Sequence, residues 1–373
     1  MSYEDEVRRR SVGRFMALIL MSLCSLASCS GESIQLERWE VFSGLSNNYS
    51  VHYFEGRSLS DAEVDRLDGL FESGDAGPEE LYRLVGHAQV SRNRQRNNQL
   101  TLKLIADFPE ETTGSFAHII GTTSREGERV RSEVGRLWEL HLTDDPENLA
   151  LIRNAAQSQF FYYDDSAGQL LERGESLAPE DPYWPYQLGK WYLQREHPRN
   201  DGDDELLSQA LGAFDRALQR IAALGLEPPQ RVWLGIAKTS LKRGDFDRAT
   251  EASRNTLTAV ERQVSDKPGR RDDQAWHSAH TILGLAAVER GRHSIAGDHL
   301  LESARIEGAP TLGSFGPNMR LAEKLLAEGH KSTVLEYFEL CGEFWKRPEL
   351  DEWEAAVRAG ISPAFYTNLV YGL

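Results

Sequence analysis

Compact residues recur along the chain at a spacing close to that of repeated helix pairs. They are Val85, Gly121, Ala155, Gly189, Ala237, Gly284 and Ala322, separated by 36, 34, 34, 48, 47 and 38 positions. Small side chains allow two helices to approach closely, and large apolar residues nearby fill the space between neighbouring pairs. The pattern predicts about seven helix pairs whose stacking buries a continuous core.

The three clearest copies carry a glycine at the turn between their two helices. Their characteristic residues are Trp233, Ala237, Gly244 and Ala249; Leu283, Gly284, Gly291, Ala296 and Leu300; and Leu321, Ala322, Gly329, Val334, Phe338 and Cys341. Together with the L-G-x-x-Y sequence from Leu188 to Tyr192, these stretches resemble the tetratricopeptide repeat (TPR). The resemblance implies an all-α superhelical solenoid with a concave binding face. A non-repetitive helical bundle is the alternative.

Two of the spacings are longer because polar stretches interrupt the repeats. Residues 195–204 are predicted to be a surface loop, and residues 265–273 a linker. The repeats then occupy residues 59–345.

Both ends of the array differ from its middle. Residues 33–58 are rich in aromatic side chains and alternate at Tyr49, Val51 and Tyr53, which indicates either a short strand or a docked extended segment. A helix is expected to begin after Ser60. Residues 346–373 are expected to form a capping helix, centred on 350–358, and an apolar tail, 365–373, that docks on the body or in the groove.

The first 30 residues have the layout of an export signal. A basic stretch from Arg8 to Arg14 precedes an apolar run from Phe15 to Ala27. That run is shorter than the roughly 20 residues that a membrane-spanning helix needs. A signal peptide is therefore expected over residues 1–28, with a permanent single-pass anchor as the alternative.

The end of this signal resembles the lipobox of bacterial lipoproteins. Leu26-Ala27-Ser28 precedes Cys29, whereas Cys24 follows the bulky Leu23 and fits a cleavage site less well. The resemblance implies lipidation of Cys29, a tether over residues 29–58 and a protein that faces the periplasm. Ser30, which follows the cysteine, favours the outer membrane. Two or three acyl chains would hold the protein stably, since each buried methylene contributes about 0.8 kcal/mol.

Charge and motifs narrow the range of functions. The formal net charge is −16, which argues against nucleic acid as a partner because phosphate binding rests on clustered cations. The sequence contains none of the common hydrolase, phosphate-binding or redox motifs, so neither an enzyme nor a cofactor is expected. His277 and His280 lie one helical turn apart, but His280 occupies a packing position and has no acidic or cysteine partner nearby in sequence. No metal site is expected, and Cys341 is expected to be a buried apolar side chain.

The TPR resemblance also implies which residues would meet a partner. The groove positions of the first helices fall on Tyr82, His118, Tyr186, Lys190, Arg231, Leu234 and Lys238. Lys190, Arg231 and Lys238 are basic in an acidic chain and would favour an acidic or C-terminal carboxylate ligand.

The expected function is a membrane-anchored scaffold of the bacterial cell envelope that binds a protein partner through the concave groove. One alternative is a structural accessory subunit whose groove is filled by its own tail. Another is an enzyme or small-ligand binder with a site outside these motifs, in residues 33–80.

Overall fold

A computed structural model describes residues 47–112, 125–160, 165–196, 204–266 and 271–369. Within these ranges the protein is all-helical and contains no strand. The chain divides into two compact units, the first ending at Trp191 and the second beginning at Tyr192. The lipobox with Cys29, the residues around Gly121 and the end of the tail after Leu369 lie outside the described residues.

The first unit is built from helices α1 to α8, the last of which continues four residues beyond the boundary. They are α1 (Asn47–Gly56), α2 (Asp61–Ser73), α3 (Pro78–Val90), α4 (Arg94–Asp107), α5 (Arg125–Asp144), α6 (Leu149–Phe160), α7 (Asp165–Leu177) and α8 (Tyr183–Arg195).

The second unit contains nine further helices in the part of the chain that is described. They are α9 (Asp204–Ala223), α10 (Gln230–Arg243), α11 (Phe246–Asp266), α12 (Asp273–Glu289), α13 (His293–Ala304), α14 (Pro310–Phe315), α15 (Arg320–Ala327), α16 (Lys331–Phe344) and α17 (Pro348–Arg358). A single 3-10 turn, Tyr366–Leu369, follows them.

Consecutive helices pack against each other as pairs. The pairs α3/α4 and α6/α7 lie in the first unit, and α10/α11, α12/α13 and α15/α16 lie in the second. In the second unit, α10 also contacts α12, α12 contacts α15, and α13 contacts α16. Contacts between alternate helices are what stacked pairs produce, so the architecture is consistent with an α solenoid.

Glycine allows the sharp turn inside each pair of the second unit. Gly244, Gly291 and Gly329 have φ angles of 78°, 68° and 87°, in the left-handed region where a side chain is strained. Each glycine follows the first helix of its pair within two residues, as the sequence predicts.

The N-terminal aromatic segment is helical where it is described, so the expectation of a strand or extended segment is wrong for Asn47–Gly56. The reason is close packing of α1 on α3. A Cβ atom on Gly86 would lie 2.1 Å from the carbonyl oxygen of Tyr53, and one on Gly56 would lie 1.9 Å from that of Arg83. Tyr53 and Gly56 are one helical turn apart, so a helix, unlike a strand, places both on the face that meets α3.

Helix α2 begins as the sequence predicts. The backbone N–H of Ser60 donates to Glu63 Oε2 at 3.0 Å, which forms a capping box at the helix start.

The C-terminal helix and the following segment close the second unit. Leu350, Trp353 and Val357 of α17 are buried. The ring of Phe365 lies 5.0 Å from that of Trp353 and 6.2 Å from that of Phe338, measured between centroids. Asn368 Nδ2 donates to the carbonyl oxygens of Phe315 and Pro317, at 3.0 Å and 2.9 Å. Residues 365–369 are thus docked on the body of the unit, against the segment between α14 and α15.

Candidate functional site

The residues assigned to the groove do not form one set. His118 lies outside the described residues. Tyr82 is completely buried in α3, where its hydroxyl donates to the carbonyl oxygen of Glu111 at 3.2 Å. Tyr82 is therefore a core residue and has no surface to offer a partner, because helix α3 turns this position towards the interior. The other five fall into two groups, one in each unit.

In the first unit, Tyr186 and Lys190 lie on α8. Tyr186 is buried and Lys190 is exposed. The ammonium of Lys190 lies 5.4 Å from the ring centroid of Phe160 and 5.5 Å from that of Tyr186, and it donates to Gln187 Oε1 at 3.1 Å. Two aromatic faces and an amide oxygen therefore hold this cation in place.

A second supported cation near the start of α8 was not predicted from the sequence. The guanidinium of Arg153, on α6, lies 4.5 Å from the ring centroid of Tyr183 and 3.6 Å from Asp181 Oδ2. Gln157 Nε2 donates to the Tyr183 hydroxyl at 3.0 Å. Burial raises the pKa of Tyr183 to about 12, although the charge of Arg153 opposes this rise. The only sequence signal was the spacing of Arg153 and Gln157, which places them on one helix face.

In the second unit, Arg231, Leu234 and Lys238 share one face of α10. Their spacing of three and four positions forms a single stripe, and all three are half-buried. Lys242 lies one turn further along the same helix. Its ammonium is 2.6 Å from Oε2 of the nearly buried Glu196, so its charge is neutralised locally.

Lys238 differs from its neighbours on this stripe. Among the described residues, no carboxylate oxygen lies within 4.0 Å of its ammonium, and no hydrogen bond to it is formed. Burial lowers the pKa of Lys238 to about 8; the charge of Lys242 lowers it further, and that of Asp272 opposes the shift. The α10 face thus presents a half-buried amine that lacks a counter-ion within the described parts of the chain.

His277 lies in α12, which packs beside α10, and both of its ring nitrogens are engaged. Nδ1 donates to the carbonyl oxygen of Ser303 at 2.9 Å, and Nε2 accepts from the backbone N–H of Asn318 at 3.0 Å. These partners fix a neutral imidazole with its proton on Nδ1. Burial lowers the pKa of His277 to about 4, with a smaller contribution from the charge of Lys238. His277 is a structural residue that ties α12 to the end of α13 and to the segment after α14.

His280 pairs with another histidine. Its Nδ1 lies 3.1 Å from Nδ1 of His299, and burial together with this neighbour lowers the pKa of His280 to about 3. No group of three or more potential metal ligands occurs within the described ranges.

Cys341 is completely buried, and burial raises the pKa of its thiol well above the ordinary value. The thiol is therefore protonated at neutral pH and packs as an apolar side chain.

None of the described helices is both long and apolar enough to cross a membrane. Compared with known proteins, the chain matches no protein-family model and no curated protein.

Proposed function

We propose that the protein is a lipid-anchored scaffold of the bacterial cell envelope that binds an acidic segment or C-terminal carboxylate of a partner protein. The half-buried amine of Lys238 is the observation that carries this proposal, because among the described residues it has no counter-ion. A carboxylate at this position would gain more than one at an exposed lysine, since water screens the interaction less. It would also restore the full charge of the amine.

The helix pairs support the scaffold part of the proposal. In this proposal they are TPR-like repeats, about seven in number, whose first helices line a concave face. The α10 stripe, with Arg231 and Leu234 beside Lys238, is then the partner-binding part of that face in the second unit. The first unit by itself offers a separate contact through the exposed Lys190, whose ammonium the buried Tyr186 supports.

The anchor part rests on the sequence of the leader. In this proposal Cys29 carries the lipid, residues 1–28 are removed, and the protein faces the periplasm on the outer membrane. No step of the proposal requires an enzymatic activity, a cofactor or nucleic acid.

The decisive experiment is affinity purification of the full-length protein from bacterial membranes, followed by identification of stoichiometric partners. Lys238→Glu should abolish capture of such a partner, because it replaces attraction of a carboxylate with repulsion. Lys346→Glu is the matched control, since Lys346 is exposed and lies near α17. Equal capture by the wild type and by Lys238→Glu would overturn the groove assignment. Recovery of both wild type and Cys29→Ala in the soluble fraction would overturn the anchor.

The docked C-terminal segment favours a second candidate, a structural accessory subunit that needs no ligand on the α10 face. The side chains of Phe365 and Asn368 are already buried against the second unit. A partner that is retained by Lys238→Glu and lost on Asn368→Ala would support this candidate instead.

A further inference from the structure

The lysines of this chain are few, and most of those described are engaged. The chain contains eight lysines against 34 arginines. Five of them have a partner: Lys103 with Asp107, Lys190 with Gln187, Lys242 with Glu196, Lys324 with Glu289, and Lys331 with the carbonyl oxygen of Arg358. Lys267 lies outside the described residues.

The remaining two lysines, Lys238 and Lys346, form neither an ion pair nor a hydrogen bond in the described parts of the chain. Lys346 is exposed, so water solvates its ammonium. Lys238 is half-buried on α10, which packs against α9, α11 and α12. It is therefore the one described lysine that combines loss of water with the absence of a protein partner.

The charges around Lys238 do not compensate for the lost water. The charged groups that act on it are Lys242, on its own helix, and Asp272, at the start of α12. The charge of Asp272 favours the ammonium, but its effect is the smallest of the three influences, after burial and Lys242. His277 is neutral near pH 7 because its pKa is lowered to about 4. The free amine, which carries the nucleophilic lone pair, is therefore more populated at Lys238 than at a lysine with the ordinary pKa.

We propose that Lys238 is a modification site at which small acylating compounds, such as anhydrides and acyl phosphates, react in preference to the other lysines. The lone pair of Nζ attacks the acyl carbon, and a nitrogen–carbon bond forms as the carboxylate or phosphate leaving group departs. The nitrogen then loses a proton to water. The product is a neutral amide, so the reaction removes the positive charge of Lys238 from the α10 face.

This inference does not depend on the proposed partner, because reactivity is a property of the protein alone. If both hold, acylation of Lys238 is a means by which partner binding is switched off. The two proposals can fail separately. A Lys238 that does not react with acylating compounds can still bind a carboxylate, and a Lys238 that reacts with them can lack a partner.

Trace acetylation of the full chain with acetic anhydride, between pH 6.5 and 10, tests the inference. Mass spectrometry then gives the extent of labelling at each lysine relative to the same residue in the unfolded chain. At pH 7.5 the free-amine fraction at a pKa of about 8 exceeds that of an ordinary lysine by about 200-fold. Lower intrinsic nucleophilicity and partial burial reduce this advantage, so we expect Lys238 to label about tenfold faster than Lys346. Equal or slower labelling of Lys238 throughout this range would overturn the inference.

A neighbouring substitution separates the effect of charge from that of accessibility. Lys242→Gln removes the adjacent cation, and this change favours the ammonium form of Lys238. Labelling of Lys238 at pH 7.5 should then fall several-fold, and its half-maximal labelling should move to higher pH. Lys324→Gln, which breaks a similar ion pair on α15, is the matched control and should change neither. An unchanged Lys238 profile in Lys242→Gln would show that the charge of Lys242 does not activate the amine.

Discussion

The two units support their basic residues in different ways. In the first unit, Lys190 and Arg153 rest on aromatic rings and have polar partners, so their charges are stabilised in place. In the second unit, Lys238 and His277 are ionisable groups that lose water without gaining a charged partner in the described structure. The presence of a basic side chain at a given helix position is therefore not enough to define its chemistry. What lies around the nitrogen decides whether it acts as a fixed cation, a neutral base or a reactive amine.

The largest expected effect is loss of the His277 ring. His277→Ala leaves the carbonyl oxygen of Ser303 and the N–H of Asn318 without their partner, and each buried unsatisfied group costs about 1–3 kcal/mol. We expect a loss of about 3 kcal/mol in the free energy of unfolding of the second unit. Urea denaturation combined with hydrogen exchange of peptides from α12 and α15 measures it.

His330→Ala provides the control for this prediction. His330 is half-buried in the same unit and stacks on His293, so its loss should cost less than about 1 kcal/mol. Similar losses in the two variants would argue that the His277 hydrogen bonds contribute little.

The next effect is the acid sensitivity that His277 gives to the second unit. The pKa of His277 is lowered from 6.5 to about 4, so between these values the unfolded chain binds the proton and the folded protein does not. Stability is therefore complete above pH 6.5 and falls as the pH drops through this window, by about 1.4 kcal/mol per pH unit. From pH 7 to pH 5, His277 alone should cost about 2 kcal/mol. After correction for the slower intrinsic exchange at acidic pH, the protection factors of α12 amides should fall over this range more than those of α6 amides. An equal fall in both helices would contradict a specific contribution of His277.

A smaller effect of opposite sign is expected at Lys238. The pKa of Lys238 is lowered from 10.5 in the unfolded chain to about 8 in the folded protein. At pH 7 the charged amine therefore destabilises the folded state. This destabilisation disappears as the pH rises from 8 to 10.5. Lys238→Met should therefore stabilise the second unit at pH 7, by about 1 kcal/mol after allowance for its partial exposure. The gain should vanish near pH 10.5. Thermal unfolding at the two pH values measures this difference, and destabilisation at pH 7 would reject the interpretation.

The smallest effect is expected at Lys190, where the same substitution should act in the opposite direction. Lys190→Met removes a cation from two aromatic faces and a hydrogen bond to Gln187. Such contacts at an exposed position contribute about 0.5–1 kcal/mol. Chemical denaturation of the first unit should show a loss of this size. If Lys190→Met and Lys238→Met stabilised the protein equally, the proposed difference between the two regions would be wrong.

The helix pairs are predictable from the sequence because their main determinants are local. The turn glycines at 244, 291 and 329 and the compact residues that precede them lie close together in sequence, and helices form around them as predicted. The sequence does not predict the helix at Tyr49 to Tyr53, because the alternation of apolar and polar residues there resembles that of a strand. Close packing of Gly56 and Gly86 selects the helix instead. Gly86 lies on α3, 30 positions further along the chain, so a local pattern does not reveal this packing.

The candidate site was less predictable for the same reason. The positive charge of Lys238 can be read from the sequence, but its partial burial and its lack of a partner among the described residues depend on how α9, α11 and α12 pack around α10. The TPR resemblance assigns Tyr82 to a groove position, but its side chain is completely buried in the core. The sequence predicts no metal site at His277 and His280, but it does not reveal the partners of His277, because these are backbone groups of Ser303 and Asn318.

The hydrogen bonds of Asn368 have a consequence for how the second unit assembles. They join residues 365–369 to the segment between α14 and α15 across about 50 positions of chain, and Met319 N–H completes the junction by donating to the Asn368 carbonyl oxygen. Closing so long a loop is entropically costly until most of the intervening helices have packed. The junction should therefore form late in folding, and the carbonyl groups of Phe315 and Pro317 should remain hydrated until the Asn368 side chain reaches them. Because the backbone N–H of Asn318, within the same segment, donates to His277 of α12, formation of this junction should be coupled to the packing of α12.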